Sequence, residues 1–110
     1  LFHTDAVQAY GHIPIDVEDM HIDFLSASGH KLNGPKGVGF LYIRNTVKIG
    51  SFIHGGAQER GRRAGTENIP AIVGMAAALK EAVANGDELG TESQHIENIK
   101  NMLGTDRIFQ

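Results

Sequence analysis

Six residues, Leu32-Asn33-Gly34-Pro35-Lys36-Gly37, separate Lys31 from the apolar run Val38-Gly39-Phe40-Leu41-Tyr42-Ile43. A crossover between parallel neighbours needs about a dozen residues or more, so strands joined by this link must run antiparallel. The link is turn chemistry throughout, with Asn-Gly, Pro and Gly in succession. Upstream, Ile22-Asp23-Phe24-Leu25-Ser26 reads as a strand that runs out in the small residues Ala27-Ser28-Gly29 before His30-Lys31. The opening Leu1-Phe2-His3-Thr4-Asp5 reads as the last part of a strand already under way, so the chain is expected to be cut from something longer. Gly11, Pro14 and the acidic Asp16–Asp19 stretch divide these two strands.

Helical periodicity begins only at residue 69. Ile69, Ile72, Val73, Ala76, Leu79, Ala82 and Val83 fall at helical spacing, which predicts a helix over 69–84 with Pro70 in its first turn and Asn85-Gly86 as its stop. A second helix is expected from Thr91, where Thr91 and Gln94 have the spacing of a capping box, burying Ile96, Ile99, Met102 and Leu103 before Gly104. Between strands and helices, Ser51–Thr66 has no period and carries Glu59, Arg60, Arg62 and Arg63 near its end, so it reads as a binding loop. Strands followed by helices make the class α/β.

A chain of 110 residues suits one domain, and 41% hydrophobic with 21% charged residues supplies a core without the composition of a disordered chain or a coiled coil. The net charge of -3 argues against nucleic acid as the main partner, because duplex affinity comes from neutralising phosphates. No run approaches the roughly 20 apolar residues of a membrane span, no signal peptide pattern is present, and a cytoplasmic setting is expected. Zero cysteines exclude a disulfide framework or a catalytic thiol within these residues.

Two strand ends each deliver one reactive side chain, Asp5 and Lys31, where open α/β sheets bind ligands. A lysine amine becomes a nucleophile when desolvated or placed beside another cation, and His30 is its neighbour. A Schiff-base lysine with an acidic partner for a pyridinium nitrogen is the requirement of a pyridoxal phosphate site, although solvated Asp and Lys residues at loop starts are common. Ser28 and His30 flank Gly29 as donors suited to a phosphate, and Gln8 follows Asp5 in the first turn after the strand. Thr66 precedes the helix, where it either helps hold an anion or serves as a plain N-cap. Gly34-Pro35-Lys36-Gly37-Val38-Gly39 precedes a strand instead of opening a helix, so it is a turn and not a nucleotide loop. His3, His12, His21, His54 and His95 lack ligand spacing and read as surface or packing residues, with no metal site expected.

Three blocks in order, His3-Thr4-Asp5-Ala6-Val7-Gln8, then Ser26-Ala27-Ser28-Gly29-His30-Lys31 with Asn33–Gly39, then His54–Asn68, closely resemble cysteine desulfurases of the class V aminotransferase superfamily. The resemblance covers roughly residues 1–85, and its third block favours the branch serving iron–sulfur cluster assembly. It implies part of a fold type I large domain, a mixed and mostly parallel sheet flanked by helices, with residues 1–90 central to that domain and 91–110 a helix leading toward a small C-terminal domain. It also implies pyridoxal 5'-phosphate as cofactor. Lys31 would form its Schiff base and shuttle protons, Asp5 would pair with the pyridinium nitrogen, Gln8 would bond the ring hydroxyl oxygen, and Ser28 and His30 would hold the phosphate. Thr66 would reach the phosphate of a second subunit's cofactor, which implies a homodimer.

The implied reaction takes L-cysteine to L-alanine and leaves the sulfur as an enzyme persulfide for a scaffold or carrier protein. In the family the nucleophilic cysteine, the ring-stacking histidine with its nearby asparagine and the upstream phosphate loop lie outside the span matched here, so these residues alone would not complete the reaction. Another enzyme of the superfamily, an aminotransferase or selenocysteine lyase, and a noncatalytic dimerising module are the alternatives.

Overall fold

The computed structural model describes residues 1–85 and the backbone of Arg107–Phe109. Four strands, β1 (His3–Asp5), β2 (Phe24–Ser28), β3 (Gly39–Ile43) and β4 (Arg107–Phe109), form one sheet in the order β1-β2-β3-β4. β1 and β2 are parallel, with Asp5 opposite Ser26. β2 and β3 are antiparallel, as the six-residue link requires, with Leu25 opposite Tyr42 and Ala27 opposite Phe40. β4 is antiparallel to β3 in a stretch where the sequence pattern signals no strand. The helix expected from Thr91 lies outside the described residues.

Alternation decides which face of the sheet is covered. Leu25 and Ala27 of β2 and Phe40 and Tyr42 of β3 all point to one side, where Leu25 and Tyr42 reach 0% exposure. Gly39 opens β3 because the Ala27 carbonyl lies where a Cβ would stand. Tyr10 meets Phe40 edge to face at a centroid distance of 4.9 Å, and burial pushes its phenol above the usual ionisation range. Ile15, Val17 and Ile22 complete this side of the core.

The helix α2 runs from Ile69 to Ala84, after a short turn α1 at Gln58–Gly61. Its span is the one periodicity predicts, but its buried stripe is different. Ala71, Met75, Leu79 and Val83 are buried, while Ile69 and Val73 stand 59% and 61% exposed and Ala76 is also exposed. Only Lys80 and Glu81 of this helix are charged, so a nearly all-apolar cylinder does not specify its own inner face. The tertiary neighbours specify it: Gly29 approaches Met75, Gly34 approaches Ala78, and Pro35 lies against Gly74. The cap also differs from the expectation at Thr66. Asn68 is the N-cap and accepts from the Ala71 amide at 3.3 Å, past Pro70, which has no amide hydrogen to give.

Arg44, just after β3, ties the return of the chain together. Its guanidinium donates to both Glu18 oxygens at 2.8 Å and to the carbonyl oxygens of Val17 and Ile22 at 2.9 Å, and lies 3.3 Å from Asp23. The bond to Glu18 raises its pKa further above the already high arginine value, with burial opposing. Among the described residues no helix is long and apolar enough to cross a membrane.

Candidate active site

The parallel pairing of β1 and β2 puts their carboxyl ends at one edge of the sheet, so Asp5 and the segment leaving Ser28 emerge together. Lys31 is not on the strand end itself. β2 continues to Ser28, two residues past the expected end, and passes directly into a 3-10 helix over Gly29–Leu32 that carries His30 and Lys31 in its middle. Asn33 closes this turn in the left-handed conformation, with φ 61°. The Gly29 amide donates to the Val38 carbonyl at 2.9 Å, and the Gly34 amide returns to the Gly29 carbonyl at 3.0 Å. The Asn-Gly-Pro sequence after Lys31 is therefore a turn that folds back on the start of the 3-10 helix.

Asp5 is exposed and uses one carboxylate oxygen, Oδ1, to accept from the Val7 amide at 3.0 Å. This bond turns the chain away from the strand and holds the carboxylate through one of its two oxygens. Gln8, His30 and Lys31 are exposed, Ser28 is half-buried, and no hydrogen bond among the described residues occupies their side-chain donors. The edge thus presents an amine, a carboxylate, an amide, a hydroxyl and an imidazole from two short chain segments, residues 5–8 and 28–31. Such a set fits a ligand that combines a carbonyl carbon for the amine, a basic ring nitrogen for the carboxylate and a phosphate for the hydroxyl and imidazole.

Thr66 is exposed on the loop before α2. The loop follows the expectation of an irregular segment: Ile53 and Arg63 form an isolated bridge, and Glu59, Arg60 and Gly61 hold positive φ values of 49°, 58° and 76°. Arg63 donates to the Ala64 carbonyl at 2.7 Å, and Gln58 accepts from the Gly65 amide at 3.2 Å. Phe52 is 93% exposed on the same loop.

Two histidines that read as ordinary surface residues are engaged at the site's margin. His3 Nε2 lies 2.7 Å from Ser26 Oγ, across the parallel pair and on the same sheet face as Asp5. His12 Nε2 lies 3.2 Å from the carbonyl oxygen of Lys31. The i, i+2 relation of His3 to Asp5 was a signal for the first. Nothing in spacing marks the second, because its partner is a backbone atom nineteen residues away.

An α/β layer that presents a lysine and a carboxylate beside the ends of parallel strands defines a class of cofactor-binding enzyme domain. Residues 1–105 match the Aminotransferase class-V family, and the chain belongs to that family, one of pyridoxal-phosphate-dependent proteins. Among its relatives, the cysteine desulfurase IscS of Clostridium botulinum (strain Hall) is 57% identical over 102 residues, covering 93% of this chain and 25% of the relative. A solved NifS-like protein superposes with a TM-score of 0.75 at 53% identity, covering 80% of this chain and 24% of that one. A second structure, SspA in complex with cysteine, gives a TM-score of 0.69 at 49% identity over 79% of this chain and 27% of the other. The chain spans about a quarter of the length of the curated relatives it matches.

Proposed function

We propose that this chain is the lysine-bearing part of a pyridoxal 5'-phosphate-dependent cysteine desulfurase. The observation that carries the reading is the juxtaposition of Asp5, held through one carboxylate oxygen by the Val7 amide, with the Ser28–Lys31 segment, whose polar side chains make no hydrogen bond among the described residues. The similarity to cysteine desulfurases and to a protein solved with cysteine supports the substrate.

When bound, the cofactor supplies an electron sink for bond changes at the amino acid's α-carbon. The chain's residues provide the rest. Lys31 holds the cofactor covalently through its Nζ and moves the proton on and off the substrate carbon. Asp5, held by the Val7 amide, would keep a proton on the ring nitrogen. Gln8 orients the ring hydroxyl oxygen, and Ser28 and His30 hold the phosphate. Thr66 serves the cofactor of a second subunit in a homodimer. Over the whole reaction L-cysteine gives up its sulfur to an enzyme thiol supplied from outside these residues, producing L-alanine and a persulfide, with one sulfur atom moved and no other oxidant required. The persulfide passes to a scaffold or carrier protein for iron–sulfur cluster or other sulfur-cofactor assembly in the cytoplasm.

The test uses the whole protein. It should bind pyridoxal 5'-phosphate with a visible absorbance band that disappears in Lys31→Ala, and should release alanine from L-cysteine in step with persulfide formation. A band of unchanged intensity in Lys31→Ala overturns the assignment.

A further inference from the structure

We propose that His12 is a positioning residue for Lys31, acting through the Lys31 backbone; the proposal rests on the cofactor role of Lys31 given above. The 3-10 helix that carries Lys31 is four residues long, and helices of this type have poorer hydrogen-bond geometry than α-helices. Its first residue is well held. Gly29 bonds Val38, receives the Gly34 amide and packs against Met75 of α2. Lys31 itself lies two residues further on, and the hydrogen bond to its carbonyl oxygen comes from the turn at Gly11 and His12.

Two separate contacts join that turn to the 3-10 helix. Gly11, at φ 81°, packs so closely on Leu32 that a Cβ there would run into the Leu32 side chain. His12 Nε2 lies 3.2 Å from the Lys31 carbonyl oxygen, and because a carbonyl only accepts, Nε2 is the donor. The same turn begins at the other half of the site. The amides of Ala9 and Tyr10 bond the Ala6 carbonyl, and those of His12 and Ile13 bond the Ala9 carbonyl, so a continuous coil runs from beside Asp5 to His12. The carboxylate at one end of this coil and the clasp at the other fix Lys31 relative to Asp5. A hydrogen bond of this kind holds orientation, and in a site that works by alignment a small displacement is costly.

The experiment measures the trapping of added pyridoxal 5'-phosphate by borohydride on individual lysines of the whole apo-protein, read by peptide mass spectrometry, together with thermal melting. Wild type, His12→Ala and His12→Gln are compared, with the exposed Lys36 and Lys80 as internal controls. Trapping at Lys31 should slow by about tenfold in His12→Ala while Lys36, Lys80 and the melting temperature stay as in wild type. His12→Gln, whose amide can still donate, should recover most of the rate. Wild-type trapping at Lys31 in His12→Ala overturns the proposal, as does a parallel change at all three lysines, which would mean general loosening. Absence of any preference for Lys31 in the wild type overturns the cofactor reading and the proposal with it.

Discussion

The layer beneath the sheet and the edge beyond its strands are built by opposite rules. Beneath, Leu25, Tyr42, Met75 and Leu79 are buried side chains whose positions follow from excluding water, and each neighbour constrains the next. At the edge, Asp5, Gln8, His30 and Lys31 stay exposed, and their positions come from backbone turns, an Asx bond and a 3-10 helix. The comparison teaches that the packed layer supplies stability while the edge is held mainly by main-chain contacts, so the two should respond to substitution in separate measurements.

The largest expected effect lies at the edge. In the whole protein, Lys31→Ala should remove alanine production from L-cysteine to background while the melting temperature of the cofactor-free form falls little, because an exposed side chain is lost. A large drop in melting temperature would break the separation between edge and layer. Leu25→Ala should do the reverse, destabilising the fold by about 2–5 kcal/mol in denaturant titration, through lost burial and the cavity left behind. Arg44→Met comes next: it removes one of the two donors of the Val17 carbonyl, which keeps the Ile22 amide, and the guanidinium bond to the Ile22 carbonyl, and should cost about 2–3 kcal/mol, whereas Glu18→Gln, at a partner 70% exposed, should cost under about 1 kcal/mol.

Tyr10 sharpens the comparison through pH. Burial raises its folded-state pKa above the unfolded value of 10.0, so the stability it contributes is complete below that value and is lost as pH rises beyond it. Stability of the folded protein should begin to fall above about pH 10, at up to about 1.4 kcal/mol per pH unit, and Tyr10→Phe should flatten that fall. The smallest effect belongs to the outer face of α2, where Val73→Ser should change stability by no more than about 0.5 kcal/mol; a loss like that of Leu25→Ala would show that this face is covered in the whole protein.

Much of this was legible in the residues. The antiparallel turn to β3 followed from a six-residue link, and the span of α2 from its period, Pro70 and Asn85. Asp5 and Lys31 could be placed near strand ends because small residues and turn chemistry follow each strand. The inner stripe of α2 was not legible, because apolar residues lie on nearly every side of that helix. Of the two readings open for Thr66, the plain N-cap falls away: both Thr66 and Asn68 carry capping side chains, and only the geometry beside Pro70 selects Asn68. The clasp from His12 left no trace, because a carbonyl acceptor has no residue identity.

The sequence by itself determined the local pieces: which stretches extend, where the chain must turn back, where a helix runs, and which reactive side chains follow the strands. These are properties of neighbours along the chain, set by φ preference, periodicity and link length. The tertiary structure decided which side of α2 faces inward, that Lys31 rides on a 3-10 helix beyond the strand end, and that the turn after Asp5 reaches back to hold it. Each of these depends on close approach between segments far apart in sequence, where a missing Cβ or one backbone oxygen settles the arrangement.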